Sequence, residues 1–152
     1  MIHVRLYEPA DRDFITGLAT RLTIGMPEWR DAQLRLAAVA GWIADSLDDH
    51  GRATTVFMAV DERGNRLGFA TVTEETHFTG ERQAYIGELA TSAAAEGQGV
   101  GKALVEACEQ WARERGYRVI TLVTGAANEH ALGFYHRLGY RDEDVRLVRL
   151  LS

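Results

Sequence analysis

The sequence predicts an α/β domain built on a mixed sheet, and three observations carry that prediction. First, three β-rich runs, Thr54 to Val60, Arg66 to Thr73 and Gln83 to Thr91, follow one another across short polar connections, as consecutive antiparallel strands do. Second, Ala95 to Leu104 reads Ala-Glu-Gly-Gln-Gly-Val-Gly-Lys-Ala-Leu and leads from the last of these strands into an amphipathic helical run ending at Arg115. Third, Arg118 to Thr124 is nearly continuous apolar sequence, typical of a strand covered on both faces. Strand, helix and strand in that order require a parallel pair.

The remaining elements fit around this centre. Ile2 to Tyr7 alternates in the manner of a strand, with Pro9 and Asp11 closing it and opening a helix to about Leu22 that puts Phe14, Ile15, Leu18 and Leu22 on one face. Thr23 to Arg30, with Gly25 and Pro27, is a loop. A longer helix, about Asp31 to Leu47, carries Leu34, Leu36, Ala37, Ala40, Ile43 and Leu47 as a broad apolar side. Asp48-Asp49-His50-Gly51 ends it as a solvated helix end, since metal-ligand spacing is absent.

Asp61 to Asn65 closes a hairpin, and Glu74 to Arg82 closes a second. In the helix after the glycines, Leu104, Cys108 and Trp111 recur at helical spacing, so Cys108 reads as a packed thiol and Gly116 as the cap. A further helix is expected from Asn128, a good N-cap, to Gly139, and a last strand from Val145 to Leu151.

A chain of 152 residues with 46% hydrophobic and 26% charged residues reads as one globular domain spanning 1–152. No apolar run approaches membrane-spanning length, and the charged first residues carry no leader pattern. With Cys108 the sole cysteine, neither a disulfide nor a cysteine metal site can form, and a cytoplasmic location is expected. The net charge of −5 and dispersed arginines argue against nucleic acid as a partner.

Gly97, Gly99 and Gly101 occupy alternate positions between strand and helix. Glycine opens φ > 0 and leaves its N–H unshielded, and a helix start adds unpaired donors and the positive end of its dipole, which together suit a phosphate. Lys102 fits that reading, because a cation in a first turn opposes the dipole unless an anion is bound. A glycine-rich cap with Lys102 in solvent is the alternative. Neither the Walker loop nor the dinucleotide loop fits. Glu96 and Ala103 break the first, and Lys102 and Leu104 fall at the required glycine in the two registers of the second.

What remains resembles motif A of the GNAT acetyltransferase superfamily, whose loop reads Arg or Gln, two residues, Gly, one residue, then Gly or Ala. Gly99 and Gly101 fill the glycine places, and Gln98, Val100, Lys102, Ala103 and Leu104 are ordinary for that family. Glu96 departs from it, standing where Arg or Gln is usual. A second motif, Asn-x-x-Ala-x-x-x-Tyr-x-x-x-Gly-Phe, is matched by Asn128, Ala131, Tyr135, Gly139 and Tyr140.

The resemblance implies the GNAT fold: a mixed, mostly antiparallel sheet of six or seven strands flanked by about four helices. It also implies acetyl-CoA as cosubstrate, no metal, and an amine as acceptor. The diphosphate would be gripped by Glu96, Gly97, Gln98, Gly99, Val100, Gly101 and Lys102. Leu89, Ala90 and Thr91 would offer backbone groups, and Asn128 and Ala131 would line the pantetheine arm. Tyr135 would protonate the departing thiolate, although periodicity alone makes it a core tyrosine. Glu88 would take the amine's proton, or else be a strand glutamate facing solvent.

Glu96 is expected to cap the loop's N–H groups and weaken cofactor binding. Asp45, Asp48, Asp49, Glu74 and Glu75 favour a cationic acceptor. Because many relatives dimerise, a homodimer is one option. A catalytically silent acyl-CoA-binding module is the alternative function, kept open by Glu96 and opposed by Tyr135 and Asn128.

Overall fold

The computed structural model describes residues 1–152. One sheet of five strands runs in the order β1 (His3–Leu6), β2 (Thr55–Val60), β3 (Arg66–Thr76), β4 (Arg82–Thr91), β5 (Ile120–Leu122). The first four are mutually antiparallel, and β5 joins β4 in parallel. The helices are α1 (Arg12–Thr16), α2 (Ala32–Asp48), α3 (Val100–Glu114) and α4 (Glu129–Arg137).

Because successive side chains of a strand point to opposite faces, the sheet feeds two cores. Val56, Met58, Phe69 and Ala90 pack with Ile15 of α1 and Val39, Ile43 and Leu47 of α2. Ala59, Ala70, Val72, Ala84 and Ile86 pack with Leu104, Cys108 and Trp111 of α3. Asp11 is fully buried and accepts from both Nη atoms of Arg5, from Arg66 Nε and from the Glu8 amide.

Three expectations are corrected. The sheet has five strands, not six or seven, because Val145–Leu151 pairs with nothing. An alternating pattern becomes a strand only beside an edge that supplies ladder partners, and β5 is three residues long. The preceding residues are tied to helices instead: the Tyr140 hydroxyl donates to Glu109 on α3 at 2.8 Å, and His136 on α4 meets Asp142.

The expected helix 11–22 is broken into α1 and a 3-10 turn, Ala19–Thr23, with Gly17 at the junction, although Ile15, Leu18 and Ala19 still reach the core. The apolar side of α2 is narrower than expected. Val39, Ile43 and Leu47 are buried, whereas Leu34 is 72% exposed.

Candidate active site

β4 and β5 pair from Ala84↔Ile120 to Ile86↔Leu122 and then part. Residues 87–91 keep β3 on one side and have no strand on the other. The cause is a β-bulge: Ala70 pairs with Leu89 but Val72 with Ile86, so Thr71 alone opposes Gly87 and Glu88. A Cβ at position 87 would lie 3.0 Å from Thr71 Oγ1, which is why the bulge carries glycine.

The bulge turns Glu88 toward α2, where it is 6% exposed. Ser46 Oγ donates to Oε1 at 2.6 Å and Thr71 Oγ1 donates to Oε2 at 2.9 Å, while the Glu88 amide donates to Thr71 Oγ1 at 2.9 Å. Burial raises the Glu88 pKa and Asp45 adds to the rise; the Ser46 and Thr71 hydrogen bonds hold it back. A buried carboxylate whose pKa is raised, with hydroxyls fixing both oxygens, is suited to take up a proton.

At the end of β4 the chain passes a 3-10 turn, Ala93–Ala95, and reaches the glycines. Gly97 (φ 76°) and Gly99 (φ 85°) are in the left-handed region, and Gly99 is the N-cap of α3 with no side-chain cap. A Cβ at 97 would meet nothing within 4 Å, and one at 99 only Ile2 Cδ1 at 3.9 Å, so the helix start opens onto free space.

Gly101 serves another purpose. It is helical, and a Cβ there would lie 3.1 Å from Phe134 Cζ, so it lets α4 pack against α3. Val100 is buried in the α3 core, Gln98 donates to Ala94 O at 3.1 Å, and Lys102 is exposed, 3.9 Å from Glu106.

Glu96 does not cap the loop amides. Its carboxylate accepts from Arg21 Nη2, while Arg21 Nε donates to the Thr91 carbonyl at 3.2 Å. On α4, Asn128 Oδ1 caps the helix by accepting from the Ala131 amide at 3.1 Å, and its Nδ2 donates to Ile24 O at 3.4 Å. A Cβ on Gly25 would collide with Asn128, so the loop after the 3-10 turn Ala19–Thr23 sits directly on the start of α4.

The Tyr135 ring meets Phe134 and Tyr140 edge-on at centroid distances of 5.0 and 5.6 Å. Burial pushes its phenol up to about 12, with Cys108 a smaller contributor. Cys108 itself is fully buried and pushed up to about 12 by burial, in keeping with a packed thiol.

The acidic residues read from the sequence separate into two groups. Asp48 pairs with Arg12, Asp49 with Arg52, and Glu74 accepts from the Tyr117 hydroxyl. Asp45 acts on Glu88, and Glu75 with Glu88 acts on Tyr85, whose phenol is raised chiefly by burial. Ser46, Thr71 and Arg21 were not singled out from sequence. The bulge that recruits Thr71 leaves only Gly87 as a trace, and the other two act over separations of 42 and 75 residues.

A sequence model described as acetyltransferase (GNAT) family matches residues 15–140. N-acetyltransferase 8 of Rattus norvegicus is 36% identical over 74 residues, covering 49% of this chain and 33% of that protein. Mycothiol acetyltransferase of Amycolatopsis mediterranei (strain U-32) is 36% identical over 99 residues, covering 61% of this chain and 33% of that protein. The chain thus spans about a third of the length of these curated relatives.

Among solved structures, a candidate acetyl transferase from Pyrococcus furiosus superposes with a TM-score of 0.78 at 22% identity, covering 99% of this chain and 100% of that one. AAC(6')-Iy in complex with the bisubstrate analog CoA-S-monomethyl-acetylneamine superposes with a TM-score of 0.70 at 18% identity, covering 100% of this chain and 99% of that one.

Proposed function

The chain belongs to the GNAT acetyltransferase family, and from that premise we propose that it moves acetyl from acetyl-CoA to a primary amine by direct attack, with Glu88 as base and Tyr135 as acid. The observation that carries the reading is the parting of β4 from β5. It frees the 87–91 edge between a buried, hydroxyl-held carboxylate and a loop of left-handed glycines.

Residues present fit the cosubstrate. The open start of α3 leaves first-turn amides for the diphosphate, and the 87–91 edge, with no strand beyond it, would offer outward-facing main-chain groups of Leu89 and Thr91 to an amide-bearing arm and to the oxyanion, whereas Ala90 pairs with Phe69 and the Thr91 carbonyl is held by Arg21 Nε. Asn128 keeps one N–H and one oxygen lone pair beyond its two present contacts, with which it would reach that arm. Here the chain spends positive φ and an uncapped helix end on space that nothing in the fold occupies.

In the reaction the amine loses a proton to Glu88, directly or through water, and its nitrogen bonds to the acetyl carbonyl carbon. The tetrahedral oxyanion collapses, the C–S bond breaks, the thiolate takes the Tyr135 proton, and the nitrogen gives up its remaining extra proton to solvent, from which Tyr135 is reprotonated. A phenol near 12 and a thiol near 8.5 make complete transfer uphill by about 5 kcal/mol, so Tyr135 works as a hydrogen-bond donor whose proton moves late.

Asp45 and Glu75 on the Glu88 side of the sheet support a cationic acceptor. Free-thiol release measured over a panel of amines tests the proposal. Amine-dependent release supports it, and acetyl-CoA binding without release would return the silent-module reading.

A further inference from the structure

We infer that Arg21 supplies the cation of the anion site at the glycine loop and that Glu96 is its positioning residue, not an opponent of the bound anion. The inference rests on the acetyl-CoA reading and deepens it.

Residues 92–101 contain no cationic side chain, and Glu96 is the one charged residue among them. Lys102 is turned to Glu106 along the helix surface. A chain of net charge −5 would therefore meet a diphosphate with an anion in its grip. Arg21 reverses that balance from another element. Its guanidinium is fixed at two points, Nε on the carbonyl of the last β4 residue and Nη2 on Glu96, and its other N–H groups have no protein partner.

The side chain is 26% exposed, so it is laid down on the protein with its free fork edge still reachable. A planar fork held at one edge and open at the other is the geometry in which arginine takes two phosphate oxygens. The pair is near neutral, and Glu96 acts by restricting where the guanidinium lies. Holding a rotamer-rich side chain before the ligand arrives lowers the ordering cost of binding.

This predicts a change of sign that a plain surface ion pair would not produce. With Arg21 present, Glu96→Gln releases the guanidinium and weakens binding. With Arg21 already replaced, Glu96 is a lone carboxylate beside the diphosphate, and the same substitution tightens binding.

The test is calorimetry of coenzyme A with wild type, Arg21→Gln, Arg21→Lys, Glu96→Gln and the double variant, each checked for an unchanged melting temperature. KM and kcat are measured with acetyl-CoA and with S-acetylpantetheine, which lacks the diphosphate. The expected result is a Kd raised about tenfold or more by Arg21→Gln, partly restored by Arg21→Lys, and raised about threefold by Glu96→Gln. In the double variant Kd should fall below that of Arg21→Gln. The effects should appear in KM for acetyl-CoA with kcat held, and vanish with S-acetylpantetheine.

If wild type binds coenzyme A and Arg21→Gln binds it equally, or if Glu96→Gln tightens binding in both backgrounds, the inference is overturned while the acetyltransferase reading stands. If wild type itself shows no binding, both fall.

Discussion

Thr71 and Glu88 exchange two hydrogen bonds across the bulge, the Thr71 hydroxyl accepting the Glu88 amide at 2.9 Å and donating to Oε2 at 2.9 Å. One hydroxyl thereby fixes both the backbone and the carboxylate of the residue proposed as base. Thr71→Val, near in shape, should leave a buried N–H unpaired and cost about 1–3 kcal/mol in stability. It should also move the acid limb of kcat/KM to higher pH, because a hydrogen bond that lowers the Glu88 pKa is gone. Thr71→Ser should restore both, whereas an acid limb that stays in place would separate Thr71 from the chemistry.

Glu88→Gln should remove the acid limb itself and lower turnover about 10²-fold. Stability provides a second reading. Burial raises the folded pKa of Glu88, so its contribution is present below the unfolded carboxylate value of about 4.5 and is lost as pH rises through the folded value. Wild type should therefore lose stability relative to Glu88→Gln across that rise. Parallel stability curves would mean that the carboxylate is not strained by burial.

Tyr135→Phe should lower kcat about 10²-fold and leave coenzyme A affinity within about twofold, as the ring packing against Phe134 and Tyr140 remains. Since burial pushes the wild-type phenol up to about 12, any alkaline limb well below that should persist in the variant. Unchanged kcat would leave Tyr135 as packing alone.

Asp11→Asn should cost about 3–5 kcal/mol, measured by denaturant melts, because Arg5 and Arg66 would keep their charges around a neutral amide. Burial alone would raise the Asp11 pKa, but the Arg5 and Arg66 hydrogen bonds overcome it and hold it well below the usual range. Its stabilisation is thus present above about pH 4 and lost as pH falls further. The variant should show a flatter acid-side stability curve than wild type.

Much of this was legible in the sequence because it is local. The glycine loop, the helix after it, the Asn128 cap and three consecutive hairpin strands are set by patterns within a few residues. Gly97 and Gly99 take the left-handed conformations their type permits, whereas Gly101, identical in sequence terms, is a packing glycine because Phe134 arrives from another helix.

Glu88 was visible, but its partners were not. Ser46 reaches it only because α2 lies over the sheet, and Thr71 only because the register slips by one residue. Val145–Leu151 shows the opposite case, a strand pattern that pairs with no edge of the sheet. Glu96 was visible as a departure from the motif, but its partner Arg21 was not, because the two meet across a separation of 75 residues.

The most direct test of the account is amine-dependent release of free coenzyme A from acetyl-CoA, followed for wild type and Glu88→Gln across pH with cationic primary amines. The account predicts release coupled one-to-one to acetylated amine, with an acid limb in wild type that the variant lacks. Tight acetyl-CoA binding with no amine-dependent release, or identical pH profiles in the two proteins, would contradict it.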